Sequence, residues 1–156
     1  MARTSSRRSR CAGIAGAILG SALLTVSTAT PASAASVPVQ VQYMDTDGLG
    51  NIQYDVRFNG TVTSQGPNGY IIQGELDAYC HHGTLTHQSV RLDAGATHGA
   101  GTIHRFWCAD TPVPIHAFGY RHQAGDTVDL KVGATSGTFN TYNFGPTYRV
   151  DIGTDY

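Results

Sequence analysis

Beyond residue 34 the apolar positions fall on every second residue. Val37, Val39, Val41 and Tyr43 alternate with Pro38, Gln40 and Gln42, which predicts a strand with one face turned inward. Tyr54, Val56 and Phe58 repeat the pattern. Asn59-Gly60, a dipeptide that favours a tight hairpin, then predicts a turn before Thr61-Val62-Thr63. Pro67-Asn68-Gly69 predicts a second turn. The strand after it carries Ile72, Gly74, Leu76, Ala78 and Cys80 on its inward face, with Ile71, Gln73, Glu75, Asp77 and Tyr79 outward. Val90 and Leu92 alternate with Ser89, Arg91 and Asp93, and Gly95, Gly99 and Gly101 mark the turn that follows. His104, Phe106 and Cys108 share the next inward face. Thr111-Pro112-Val113-Pro114 predicts a break, because proline has no amide hydrogen to give to a ladder. Ile115 to Tyr120 resumes the sheet. Gly125-Asp126 turns into Val128, Leu130 and Val132, and the tail offers Phe139, Tyr142 and Phe144, then Tyr148, Val150 and Ile152 beyond Gly145-Pro146. Residues 35–156 have no helical period. Seven to nine short strands predict an all-β antiparallel sandwich, a barrel being the other closure of the same pattern.

The first 34 residues follow a different rule. Arg3, Arg7, Arg8 and Arg10 form a positive start, Ala12 to Val26 a small and apolar stretch, and Ala32-Ser33-Ala34 a cleavage site of small residues. We expect a signal peptide over 1–34, a single domain over 35–156, and a secreted, extracellular product. Gly13, Gly16, Gly20 and Ser21 leave the stretch too weakly apolar for an anchor helix, and Pro31 ends it. Removing the leader changes the charge. Residues 35–156 hold six cations against eleven acids, a net charge of −5 with a single lysine, Lys131. An acidic domain of that kind disfavours nucleic acid, whose binding draws on clustered cations. After cleavage no apolar run is long enough for a spanning helix.

With Cys11 in the leader, Cys80 and Cys108 remain as an even pair bound for an oxidising exterior, which predicts a disulfide. Neither has a cysteine neighbour at the short spacing of a zinc site.

Gly60-Thr61-Val62-Thr63, the glycine and inward leucine before Cys80, Cys108 at a strand end and Gly125-Asp126-Thr127-Val128-Asp129-Leu130 together give the chain a likeness. It resembles the small secreted, single-disulfide immunoglobulin-like β-sandwich proteins of actinobacteria, over Asn59 to Ala134. The resemblance implies an antiparallel immunoglobulin-like β-sandwich, export and one bridge. It brings no catalytic residue, and neither His81-His82 nor the aromatic tail after Gly137 maps onto it.

Candidate chemistry is sparse. Seven histidines stand in residues 35–156, and His81, His82 and His87 are candidate metal ligands, although adjacent strand residues point to opposite faces and share a metal only in a turn. His116, Tyr120 and His122 share parity and define a possible patch. Asp45-Thr46-Asp47-Gly48-Leu49-Gly50-Asn51 groups hard oxygen donors on a glycine-rich segment, yet lacks the spacing of an EF-hand and suits a tight turn equally well. Ser64, Ser89 and Ser136 lack the setting of an activated nucleophile. Glu75 and Asp77 are paired carboxylates on an outward face, more often solvated than catalytic. The exposed aromatics are the stronger lead. Tyr79, Trp107, Tyr142 and Tyr148 are candidate binding residues, since flat rings recognise sugars and proteins with little ordering cost. For Trp107 a core position beside the disulfide is the competing reading.

These residues lead to the expectation of a secreted, non-enzymatic binding or interaction module without cofactor, its partner an extracellular protein or polysaccharide. The alternatives are a carrier of a chromophore-like small molecule, a histidine-dependent metal-binding protein and a secreted protease inhibitor.

Overall fold

Alternating apolar residues make a strand with one oily face, and such strands pair until that face is covered. The computed structural model describes residues 35–81, 88–99, 101–123, 125–135 and 141–153. The expected leader lies outside them, as do His82, His87, Ser136, Phe139 and Tyr156. The strands are β1 (Ser36–Thr46), β2 (Ile52–Gln65), β3 (Gly69–Cys80), β4 (Ser89–Ala96), β5 (Thr102–Trp107), β6 (Val113–Tyr120), β7 (Val128–Thr135), β8 (Asn143–Phe144) and β9 (Tyr148–Val150). A single 3-10 turn, Cys108–Asp110, is the one helical element among the described residues.

All pairings are antiparallel, and they build two sheets. Sheet A runs β1-β2-β3-β6, and sheet B runs β5-β4-β7 with β8 and β9 sharing the far edge of β7. Val56, Phe58, Ile72, Leu76 and Ile115 from sheet A meet Val90, Leu92, Val128, Leu130 and Val132 from sheet B in one buried core. Each such side chain contributes about 1.5–3 kcal/mol relative to exposure, the driving force that holds the sheets face to face. One polar tie crosses the core. The Tyr54 hydroxyl donates to the Thr135 carbonyl at 3.2 Å, and burial pushes that phenol's pKa up.

The expected turn at Asn59-Gly60 does not form. Strand β2 runs through it for 14 residues, with β1 on one side and β3 on the other. The apolar parity explains why: Tyr54, Val56, Phe58, Gly60 and Val62 all point inward without a change of phase. Gly60 stands opposite Gly74, and the Phe58 ring covers the pair. A methyl on Gly74 would come 2.6 Å from the Gly60 Cα and 2.9 Å from the Phe58 ring. The glycines are spacers for an aromatic ring, a common role within a strand. The hairpins turn instead at Asp47–Asn51 and at Gly66–Asn68.

Cys80 and Cys108 are joined, as expected, with Cα atoms 6.2 Å apart. The bond ties the end of β3 in sheet A to the turn after β5 in sheet B. The predicted proline break is shorter than expected. Only Pro112, after a cis peptide bond, precedes β6, and Pro114 lies inside that edge strand. Pro38 sits in the opposite edge strand β1, and Pro146 between β8 and β9. Arg121 is buried just past β6, donating to the Gly153 carbonyl at 2.8 Å and the Pro67 carbonyl at 3.2 Å. It thereby holds the Gly66–Asn68 turn to the end of the described chain.

Candidate functional site

The outer face of sheet B collects the chemistry. Register places residues across the strands in rows: Trp107, Ser89 and Thr135 in one, Arg105, Arg91, Gly133 and Phe144 in the next, then Ile103, Asp93 and Lys131. Trp107 is 51% exposed, which decides for the surface position over the core one. The Tyr142 hydroxyl lies 2.5 Å from the Ser89 hydroxyl and so fixes its ring over the first two rows. Two guanidinium groups approach that ring, Arg91 at 5.3 Å and Arg105 at 5.1 Å from its centroid. Arg91 and the Lys131 ammonium also lie over Phe144, at 5.2 and 4.5 Å. Phe144 in turn packs on Gly133, where an added methyl would stand 2.7 Å from its ring. These are cation–π contacts, each contributing about 0.5–1 kcal/mol at an exposed site.

Asp93 sits between the cations. Its carboxylate accepts from the Arg91 guanidinium through both oxygens, and Lys131 stands 3.8 Å away. Arg149 pairs with Asp129 at 3.0 Å on the same face. Beside this cluster the sheet loses its side chains at Gly95 and Gly101, leaving an open hollow of about 350 Å³ walled by Asp93, Asp129, Lys131, Ile103 and Thr147.

The four aromatic candidates do not form one surface. Trp107 and Tyr142 share the outer face of sheet B. Tyr79, 56% exposed, is on the outer face of sheet A, lining a separate cleft of about 510 Å³ with Asp47, Asp55 and His81. Tyr148 stands opposite the inward Leu130 and is 43% exposed only because it lies at the open edge of the sheet. The reason is a one-residue shift in register between the β7–β8 and β7–β9 pairings, a bulge that reverses which parity faces out. Sequence reasoning missed Arg91, Arg105, Lys131 and Phe144. Their signal was available in the outward positions of β4, β5 and β7, which concentrate cations in an acidic chain.

Of the metal candidates only His81 is described. It is exposed, its amide bonded to the Gln53 carbonyl at 2.9 Å, while His82 and His87 lie outside the described residues. Among the described residues no three histidine, cysteine or acidic side chains converge as a metal site. In the Asp45–Asn51 segment Asp45 and Thr46 end strand β1, and Asp47–Asn51 form a turn. The Asp47 carboxylate accepts from the Leu49 and Asn51 amides and the Asn51 side chain at 2.8–2.9 Å. Those bonds, led by the Asn51 side chain, hold it below the usual carboxylate range. His116 and Tyr120 do share the outer face of β6, with Phe118 between them and its ring edge-on to His116 at 4.7 Å. Ser64 is buried under Arg121, Ser89 is engaged by Tyr142, and Ser136 is outside the described residues. Glu75 and Asp77 lie exposed on the outer face of β3.

Compared with protein-family models, curated proteins and solved structures, the chain matches none.

Proposed function

We propose that the chain is a secreted, non-enzymatic, immunoglobulin-like β-sandwich, freed of a leader at 1–34, that binds an extracellular protein or polysaccharide through the outer face of sheet B. Strand order supports the fold reading. Counted from β2, sheet A has the order first, second, fifth and sheet B fourth, third, sixth, seventh. This is the order of an immunoglobulin-like Greek key whose fourth strand has crossed to the second sheet. Strand β1 is an addition outside it. The bridge departs from the usual inter-sheet position, joining the ends of β3 and β5, and Trp107 points away from it. The bridge itself suits an oxidising compartment.

The observation that carries the binding role is the cationic and aromatic cluster of Trp107, Tyr142, Phe144, Arg91, Arg105 and Lys131 on one sheet face. Aromatic and arginine side chains dominate recognition surfaces because they give contact area at little entropic cost. The full-length chain is to be expressed in a secreting bacterial host, recovered from the medium and challenged with cell-wall polymers and supernatant proteins. The captured component should be lost on Trp107→Ala and on Tyr142→Ala yet retained on Tyr79→Ala, whose side chain is on the other sheet. Equal capture by all three variants overturns the assignment of the face, and failure to reach the medium overturns the location.

A further inference from the structure

We propose that the outer face of sheet B takes a carboxylate-bearing polysaccharide, an inference that rests on the binding-face reading above and names its ligand. The first support is where the charges lie. Residues 35–156 have eleven acids and six cations, and four of those cations, Arg91, Arg105, Lys131 and Arg149, occupy this one face with only Asp93 and Asp129 among them. The outer face of sheet A has the reverse balance, Asp55, Glu75 and Asp77 against Arg57. Such a separation makes the outer face of sheet B complementary to an anionic partner, while the acidic face of sheet A repels it.

The second support is a pairing that folding alone does not favour. Arg91 and Arg105 are directly opposite each other on neighbouring strands, where like charges destabilise a sheet. Arg91 is neutralised by Asp93. Arg105 is exposed, and among the described residues no carboxylate lies within ion-pair distance of it. Its guanidinium rests on the Tyr142 ring and is exposed, a planar group suited to a carboxylate. Trp107 is two residues along the same strand, about 6.6 Å away, so a sugar resting against the exposed part of the indole brings a carboxyl substituent to Arg105.

The third support selects a saccharide over an acidic peptide. The glycine-floored hollow adjoins the cationic cluster, and its walls offer Asp93 and Asp129. A carboxylate has about four acceptor sites. Arg91 and Lys131 use part of those on Asp93, and Arg149 part of those on Asp129. The rest accept from hydroxyl groups and repel further carboxylates. A polymer that is both acidic and rich in hydroxyls satisfies the two halves together, along about 20 Å of strand from Trp107 to Gly101.

The test uses the full-length chain recovered from the medium of a secreting host, titrated with a polyuronate, a neutral glucan and poly-glutamate. The polyuronate should bind, weakening as salt is raised, and the other two should not. Arg105→Gln and Trp107→Ala should each weaken polyuronate binding more than about tenfold. Gly48→Ala, on the β1–β2 turn of the other sheet with open space around it, should leave binding unchanged. Thermal melting of each variant confirms that the fold is kept. Equal binding of poly-glutamate overturns the saccharide, equal binding of the glucan overturns the carboxylate, and unaltered binding by Arg105→Gln overturns the site. If no polyuronate binds while Trp107→Ala still abolishes capture of another component, this inference falls and the binding face stands; if neither is seen, both fall.

Discussion

A single methyl group is enough to test how closely β2 and β3 pack beneath the Phe58 ring. Gly60 and Gly74 face each other beneath the Phe58 ring, so Gly74→Ala forces either the ring or the backbone to move. Overpacking of this kind costs about 1–3 kcal/mol, to be read as a lower urea midpoint. Gly48→Ala, with nothing within 4 Å of the new carbon, should leave that midpoint unchanged. The same pair shows where reading residues one at a time breaks down. Asn59-Gly60 is a turn signal by identity, yet Phe58 and Val62 on either side keep one parity, and an unbroken phase outweighs a local preference. Trp107 was ambiguous for a related reason: alternation opposite Cys108 places it outside, and analogy with other sandwiches places it inside. Its 51% exposure follows the alternation.

Strand β3 was legible from Ile71 to Cys80, because steady alternation there leaves one choice of face, whereas its opening residue, Gly69, reads as part of the preceding turn. The tail was not. Tyr142 and Tyr148 have the same parity, and only the extra residue between β8 and β9 sends them to different sides; nothing in two- and three-residue strands reveals such a shift. The cationic face was hidden too, since it assembles from β4, β5, β7 and β8, whose order in the sheet is not their order in the chain. The bridge acts between elements as well. It closes a loop of 28 residues separation, so chain entropy predicts that Cys80→Ala with Cys108→Ala, or reduction of the native protein, lowers stability by about 3.5 kcal/mol. Equilibrium unfolding with and without reductant measures it. Loss of much less would mean that the core alone holds β3 against the end of β5.

For the whole molecule, acid is the informative variable. Asp126 is held below the usual carboxylate range first by its 3.1 Å hydrogen bond with His98, then by the Gln123 amide, against the opposing effect of burial. For Asp55 burial works upward, and the Arg57 and Gln42 bonds together outweigh it. Asp47 is lowered within its turn. A carboxyl group whose folded value is depressed stabilises the fold fully above its unfolded value and loses that contribution as the pH falls through the folded one. Stability should therefore hold above pH 3.8, the ordinary carboxylate value, and decline below it. Asp126→Asn should make that decline shallower while lowering stability at neutral pH. A melting temperature that is flat from pH 5 to about 2 would contradict these assignments.

The prolines at the sheet margins have a consequence for how copies of the protein behave in a crowd. Pro38 and Pro114 sit in the two outermost strands of sheet A, and Pro146 interrupts the β8–β9 border of sheet B. Each removes an amide donor from a border that would otherwise template the next chain, and the fourth border, β5, presents the charge of Arg105 instead. Strand-on-strand addition is thereby disfavoured at each of the four borders, which works against fibril growth when copies of the protein are crowded.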